Sequence, residues 1–143
     1  DHLKEVNDTY GHQVGDAVLA GAVRYLGQCL RPYDRVFRYG GDEFLIALPG
    51  ADLAIGQTVI KRVREGLAGS PLVAGPDGLA IHATASFGLA LLDPEVSVAD
   101  SIERADQALL LAKTAGRNRA ITWDSTVTTG TRLPRLQLED FKG

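Results

Sequence analysis

Two adjacent carboxylates at a predicted turn are the residues of this sequence whose types and spacing most directly indicate chemistry. Asp42 and Glu43 follow Gly40 and Gly41 in "RYGGDEF", between two runs of strand-forming residues. Paired glycines between such runs predict a β-hairpin, and a glycine backbone lets a ligand approach without a Cβ in the way. Carboxylates beside such a tip can hold a hard divalent cation, which would bridge phosphate oxygens. A solvated turn with ordinary acidic residues is the alternative.

A second group of polar residues lies in the N-terminal segment, which we predict to be a loop that ends where a helix starts. The group consists of Lys4, Asn7, His12 and Asp16. A carboxylate such as Asp16 matches the two adjacent donors of guanine, Asn7 can donate and accept at once, and Lys4 could neutralise a phosphate. Each also has an ordinary alternative, which is a helix cap for Asp16, a turn residue for Asn7 and a surface side chain for His12.

Two cations stand close together near the C-terminal end of another predicted helix. Lys113 and Arg117 lie four residues apart in "AKTAGRNR", which predicts one helix face. Positive charge at this end of a helix complements the helix dipole, and phosphate binding is the competing use.

Length and composition are those of one globular domain. The chain has 143 residues, of which 45% are hydrophobic and 23% charged, and its net charge is −3. That charge argues against a partner such as duplex nucleic acid, which needs a basic face. A single cysteine excludes a disulfide framework, and no apolar run is long enough to span a bilayer. We expect a cytoplasmic domain, although the parent protein could be attached to a membrane.

The elements that must position these residues follow from hydrophobic periodicity. Apolar spacing predicts helices over residues 15–30, 51–68 and 97–116, the last capped by Ser97 or Asp100. Strands are predicted over residues 35–39, 43–49 and 118–123, with two more on either side of a turn at residues 76–78. Helices that alternate with strands indicate an α/β or α+β sandwich. We expect a domain over residues 1–124 and a polar tail over residues 125–143.

Four stretches of the sequence resemble, in order, the signature blocks of the GGDEF family, the diguanylate cyclases. They are "DHLKEVNDTYGHQVGDAVL", "RYGGDEF", "ASFGLA" and "RADQALLLAKTAGRNR", and the resemblance covers roughly residues 1–124. Leu110 stands where the family usually has an aromatic residue. The resemblance implies an α+β, palm-like nucleotidyl cyclase fold, with a central, mainly antiparallel sheet flanked by helices and the GGDEF motif on a β-hairpin.

The resemblance also implies a reaction, in which two GTP molecules become cyclic di-GMP and pyrophosphate in a symmetric homodimer driven by an upstream sensor domain. Asp42 matches a Mg²⁺ (or Mn²⁺) ligand and proton acceptor, and Glu43 beside it is implied to assist the metal or the hydroxyl. The glycines let the nucleotide approach the backbone. Residues matching guanine or triphosphate contacts are Asn7, Asp16 and His12 for the base, and Lys4, Lys113 and Arg117 for the phosphates.

A second site is implied by the same resemblance. Arg31 and Asp34, in "RPYD", match an inhibitory Arg-x-x-Asp site for the product, and Arg62 matches an arginine contributed by a partner domain. Arginine can fork onto phosphate or guanine, and aspartate can accept from guanine. A local surface ion pair is the alternative.

One departure from the family pattern concerns the start of the chain. The family's first signature begins with a metal-binding Asp two residues ahead of the position of Asp1, after a first strand. We therefore expect the parent protein to be an active cyclase and the 143-residue chain alone to be inactive or badly impaired. Two other functions remain open: a GGDEF domain that binds GTP or cyclic di-GMP without chemistry, and a related palm domain that uses another nucleotide.

Overall fold

The computed structural model describes residues 1–74, 78 and 80–125. Four helices lie in this part of the chain: α1 (Leu3–Tyr10), α2 (His12–Cys29), α3 (Leu53–Gly69) and α4 (Val98–Thr114). The strands are β1 (Arg35–Arg38), β2 (Phe44–Ala47), β3 (Val73–Ala74), β4 (Ala80–Ile81), β5 (Phe87–Leu89) and β6 (Ala120–Thr122). No helix of the described residues is long and apolar enough to cross a membrane. The polar tail beyond residue 125 and most of the predicted turn at residues 76–78 lie outside the described residues.

The two long C-terminal helices begin at side-chain caps. Asp52 Oδ1 accepts a hydrogen bond from the backbone nitrogen of Ile55 at 2.8 Å, at the start of α3. Ser97 Oγ accepts from the backbone nitrogen of Asp100 at 3.0 Å, at the start of α4. Each cap satisfies one N–H group that would otherwise lack a partner. The prediction of Ser97 as a cap is confirmed.

The N-terminal segment differs from its prediction as a loop, because residues Leu3–Tyr10 form helix α1. Gly11, with φ of 91°, ends α1 and precedes α2. Helix α2 therefore begins at His12, three residues earlier than predicted. Apolar spacing missed α1 because this short helix has no buried residue and is stabilised by packing against α2.

The strands form three hydrogen-bonded pairs within the described residues. The β1–β2 hairpin is antiparallel, with Arg35 opposite Ala47 and Arg38 opposite Phe44. Strands β3 and β4 also pair antiparallel, whereas β5 and β6 pair parallel. The predicted mainly antiparallel α+β fold and the position of the motif on a hairpin are confirmed. The described strands are divided among these pairs, so hydrogen bonds do not join them into one continuous sheet.

The hydrophobic core joins the helices to the hairpin. Leu26 of α2 and Val63 and Leu67 of α3 are buried together, with Val36 and Ile46 of the hairpin against them. Val36 and Ile46 are cross-strand partners, so one face of the hairpin is held by apolar packing. The loop between the strands thus projects from a fixed base.

Candidate functional site

The hairpin tip carries the acidic pair. The backbone nitrogens of Tyr39 and Gly40 both donate to the carbonyl of Glu43, at 2.9 and 3.3 Å. The Arg38 guanidinium donates to the carbonyls of Gly40 and Gly41, at 3.3 and 2.8 Å. These bonds fix the backbone of the tip, from which the side chain of Asp42 is exposed and that of Glu43 half-buried.

Neither glycine of the motif is required by the backbone of the hairpin. Gly40 and Gly41 are absent from the residues with positive φ, so the tip does not use the conformational freedom of glycine. A Cβ at Gly41 would meet nothing within 4 Å, and one at Gly40 would meet only Glu43 Cβ at 3.9 Å. The space above the tip is open, as close approach of a ligand to the backbone requires.

Helix α4 contacts the hairpin through two polar pairs. Lys113 Nζ donates to Glu43 Oε1 at 2.8 Å, and each side chain is about one third exposed. Tyr39 Oη donates to Asp106 Oδ2 at 2.9 Å. Burial raises the pKa of the Asp106 carboxyl, although the hydrogen bond from Tyr39 acts in the opposite direction. The pKa of the Tyr39 phenol is also raised, mainly by burial and further by its hydrogen bond to Asp106. Tyr39 and Asp106 were not predicted as site residues, although Asp106 precedes Lys113 by seven residues on the same helix face.

Lys113 and Arg117 do not share a helix face, which corrects the prediction from their spacing. Helix α4 ends at Thr114, and Arg117 lies in the following turn with φ of 64°. The turn closes because the backbone nitrogen of Arg117 donates to the carbonyl of Ala112 at 2.9 Å, as in a helix C-terminal motif. Lys113 does lie in the last turn, but its ammonium group pairs with Glu43 of the hairpin.

Asp1 lies near Asp42 of the hairpin and near both of these cations. The Asp1 carboxylate accepts from Ser86 Oγ at 2.7 Å, from Thr84 Oγ1 at 2.8 Å and from the backbone nitrogen of Asn118 at 3.1 Å. The structure therefore brings Asp42, Glu43, Lys113 and Arg117 into one region.

Asn7 lies at the contact between α1 and α2, so its alternative prediction as a turn residue is wrong. A Cβ at Gly15 would clash with Asn7 Oδ1, which means that the amide packs directly on the glycine backbone. Asn7 Oδ1 is buried and accepts no hydrogen bond from any described residue. A buried acceptor without a donor is costly.

Asp16 is not a helix cap, which corrects the other alternative. It lies inside α2, four residues after the first helical residue, and the cap position is Gly11. Its side chain is exposed, as are those of Lys4 on α1 and His12 at the start of α2. All three are accessible to a ligand.

The predicted inhibitory residues surround the turn between α2 and β1. Arg31 donates through Nη2 to Asp34 Oδ1 at 3.0 Å and to the carbonyl of Pro49 at 3.0 Å. Its guanidinium also lies 4.5 Å from the centre of the exposed Tyr33 ring. Arg62 of α3 donates to the carbonyl of Cys29 at 3.1 Å, two residues before Arg31. The structure thus places the guanidinium groups of Arg31 and Arg62 beside the same end of α2.

No group of three or more His, Cys, Asp or Glu side chains is placed to hold a metal ion in the described part of the chain. Asp42 and Glu43 still fit a cation of the magnesium type, which uses one or two carboxylates and completes its shell with water and substrate phosphates. The open space above the glycines leaves room for those phosphates.

Comparison with known proteins shows the family of this chain. The family model described as "Diguanylate cyclase, GGDEF domain" matches residues 1–119. Diguanylate cyclase DgcP of Pseudomonas aeruginosa is 39% identical over 119 residues, which are 83% of this chain and 17% of that protein. Diguanylate cyclase A of Treponema denticola is 38% identical over 120 residues, which are 83% of this chain and 32% of that protein.

A solved structure shows the same fold. The crystal structure of the GGDEF domain of DgcB from Caulobacter crescentus in complex with c-di-GMP matches with a TM-score of 0.79 at 32% identity. The match covers 85% of this chain and 72% of that chain. The protein belongs to the GGDEF family of diguanylate cyclases. This membership implies a requirement for a divalent metal. The chain spans a third or less of the length of these two curated relatives.

Proposed function

We propose that this domain condenses two GTP molecules into cyclic di-GMP, with release of pyrophosphate, as one half of a homodimer. The observation that supports this most is the hairpin tip. Asp42 and Glu43 stand beside two glycines that the hairpin backbone does not require, and the cations Lys113 and Arg117 lie in the same region. Acids for a cation, open backbone and cations for phosphate are the parts that nucleotidyl transfer needs.

Asp42 and Glu43 would hold Mg²⁺ or Mn²⁺, which supplies positive charge to the phosphates and acidifies a nearby hydroxyl. Lys113 and Arg117, with Lys4 of α1, would neutralise the remaining charge of the triphosphate. Gly40 and Gly41 would let the phosphates reach the backbone of the tip. Reaction joins the 3′-oxygen of one GTP to the α-phosphorus of the other and breaks the bond from that phosphorus to the leaving pyrophosphate. Asp42 accepts the hydroxyl proton, and a second identical step closes the ring.

Guanine would be bound between α1 and α2. Its ring N–H and amino group are donors, and both Asn7 Oδ1 and the Asp16 carboxylate are acceptors. Asp16 follows Gly15, on which the Asn7 amide packs, and the exposed side chain of Asp16 supports this assignment. His12, exposed at the start of α2, would contribute at the edge of this site.

Feedback by the product would use Arg31 and Asp34, with Arg62 supplied by a partner domain. The proposal is supported by the partly exposed Arg31 guanidinium, stacked on Tyr33, since a guanidinium and an aromatic face suit a guanine nucleotide. The related domain of DgcB was crystallised in complex with c-di-GMP. An upstream sensor that pairs two domains, a cytoplasmic location and a catalytic unit over residues 1–124 complete the proposal. The alternative of a receptor without chemistry is not favoured, because the named relatives are cyclases.

The test is an assay of the full-length natural protein with GTP and Mg²⁺, with the products separated by chromatography. We expect cyclic di-GMP and pyrophosphate from the wild type and none from Asp42→Ala. A matched control is Asp100→Ala, an acidic change on α4 outside the site that should leave product formation intact. Tight binding of GTP without product, even when dimerisation is forced, would contradict the proposal and indicate a receptor.

A further inference from the structure

Two polar contacts hold the hairpin on α4, the ion pair of Glu43 with Lys113 and the hydrogen bond from Tyr39 to Asp106. Only the residues of the ion pair have a role in the proposed reaction. Glu43 and Lys113 bind each other at 2.8 Å, yet the proposed function assigns Glu43 to a cation and Lys113 to phosphate. Each group already uses part of its bonding capacity on the other, so metal at Glu43 and phosphate at Lys113 compete with this ion pair. On this assignment the ion pair is exchanged for bonds to metal and phosphate when the nucleotide binds.

The contact between Tyr39 and Asp106 uses neither of these groups. Tyr39 Oη donates to Asp106 Oδ2 at 2.9 Å, and Tyr39 also donates its backbone N–H to the carbonyl of Glu43 at 2.9 Å. Any force that holds the Tyr39 side chain on α4 is thus transmitted to the backbone of Glu43. Asp106 and Lys113 are seven residues apart on α4, or about 10 Å along its axis, so the two contacts are separate attachments.

The two pairs are both partly buried, and they differ in which groups compete for them. Glu43 and Lys113 are each about one third exposed, so water and salt can compete for their ion pair. Tyr39 and Asp106 are also partly buried, but neither is assigned to metal or phosphate, so no bound group competes for their hydrogen bond. This hydrogen bond can therefore remain in place when the neighbouring ion pair opens.

Resting on the proposed cyclase function, we propose that Asp106 is a positioning residue whose hydrogen bond from Tyr39 keeps the hairpin docked on α4 while the Glu43–Lys113 pair is exchanged for metal and phosphate. Asp106 touches neither substrate nor metal. It fixes the position of Glu43 and Asp42 at the moment when their other support is lost. Misplacement of such groups by about 1 Å can cost about a hundredfold in rate.

The inference predicts a split between turnover and affinity for GTP. We expect Tyr39→Phe and Asp106→Ala to lower kcat of the full-length protein by about tenfold to a hundredfold, because the acids are no longer held in place. KM for GTP should change by less than about threefold, since the guanine contacts lie on α1 and α2. Asp106→Asn keeps an oxygen that can accept from Tyr39 and should restore most of the lost kcat.

Hydrogen exchange at the amides of residues 39–44 measures docking without reference to turnover. We expect these amides to be protected in ligand-free Tyr39→Phe, where the Glu43–Lys113 pair remains, and to lose protection when Mg²⁺ and a non-hydrolysable GTP analogue are added. In the wild type the same addition should maintain or increase protection. Gln107→Ala is the matched control, because it removes a different α4 hydrogen bond, the one from Trp123 Nε1 at 3.0 Å, and should change neither readout.

The possible outcomes separate the two proposals. Product from the wild type with unchanged kcat in Tyr39→Phe and Asp106→Ala would overturn the positioning role and leave the cyclase function standing. Asp106→Asn as damaging as Asp106→Ala, with thermal midpoints equal to the wild type, would also overturn it, since the acceptor would not be the property that matters. No product from the wild type under any condition would overturn both.

Discussion

Arg31 and Asp34 bind each other before any ligand arrives. Asp34 accepts from Arg31 Nε and Nη2 at 3.3 and 3.0 Å, and from its backbone nitrogen at 2.8 Å. The Asp34 side chain is 1% exposed, whereas that of Arg31 is 37% exposed. A product molecule at the proposed inhibitory site therefore meets Arg31 first, and Asp34 acts there mainly by holding the guanidinium in place.

This pair makes stability depend on pH. The bond from the Arg31 side chain lowers the pKa of Asp34, so the contribution of the pair is fully present above the unfolded carboxyl pKa of about 3.9. It is lost as the pH falls through the lower folded-state value. We expect Asp34→Asn to lower the free energy of unfolding by about 1–2 kcal/mol at neutral pH, and the difference to shrink below about pH 4.

Urea unfolding of both proteins at neutral pH and at about pH 3 checks this. Glu65→Gln is the control, because its ion pairs are exposed and long, at 3.9 and 4.0 Å, and should contribute almost nothing. A difference that is the same at both pH values would show that Asp34 matters through packing instead.

Gly15→Ala should weaken GTP binding without unfolding the protein. The added methyl group would occupy the position of Asn7 Oδ1, so the amide must leave its place against α2. Alanine itself favours a helix over glycine by about 1 kcal/mol, which offsets the disturbance. Calorimetric titration with GTP should show an affinity at least about tenfold lower, which is about 1.4 kcal/mol.

Gly27→Ala on the same helix is the matched control, because a Cβ there meets nothing within 4 Å. It should stabilise the protein slightly and leave GTP affinity unchanged. Equal GTP affinity in both variants would remove Asn7 from the guanine site.

Asp16→Asn should separate binding from stability. Asp16 is exposed and caps no helix, so we expect its loss to change the free energy of unfolding by less than about 0.5 kcal/mol. GTP affinity should fall about tenfold, because an amide replaces a carboxylate that accepts from guanine. Asp52→Ala provides the contrast, since it removes the cap of α3 and should cost about 1 kcal/mol of stability with no effect on GTP. A lower thermal midpoint for Asp16→Asn would point to a structural role.

Gly88→Ala should destabilise the domain strongly. A Cβ at this position of β5 would meet backbone atoms of α4, including the carbonyl of Ala105 and, at 2.9 Å, Leu109 Cα. Backbone cannot move aside as a side chain can, so we expect a loss of about 3 kcal/mol, at the upper end for an overpacked core. Thermal unfolding checks this against Gly56→Ala, where the nearest atom is Leu89 Cδ2 at an ordinary 3.7 Å. Similar midpoints for the two variants would show that α4 can shift away from β5.

Local signals in the sequence were enough for the hairpin and for the two long C-terminal helices. Ser97 caps α4 through an atom three residues away, so its pattern is visible in a short window. Helix α1 has no comparable local capping signal. Its residue Asn7 packs on Gly15 of the next helix, a contact between two elements. Packing between elements decided its structure, which periodicity alone does not detect.

The same distinction applies to the candidate site. Asp42 and Glu43 could be predicted as site residues because they are adjacent in the sequence. The bond between Tyr39 and Asp106 joins residues 67 positions apart, and no spacing rule connects them. Spacing also placed Lys113 and Arg117 on one helix face, whereas the chain turns away after Thr114.

Trp123 gives the protein an optical reporter of its own. It is the one tryptophan of the sequence, its ring lies 4.4 Å from the Arg104 guanidinium, and its indole nitrogen donates to Gln107 at 3.0 Å. Both partners belong to α4, the helix that also carries Asp106 and Lys113. A displacement of α4 against the following strand would change the environment of this ring, so intrinsic fluorescence can follow it without any attached dye.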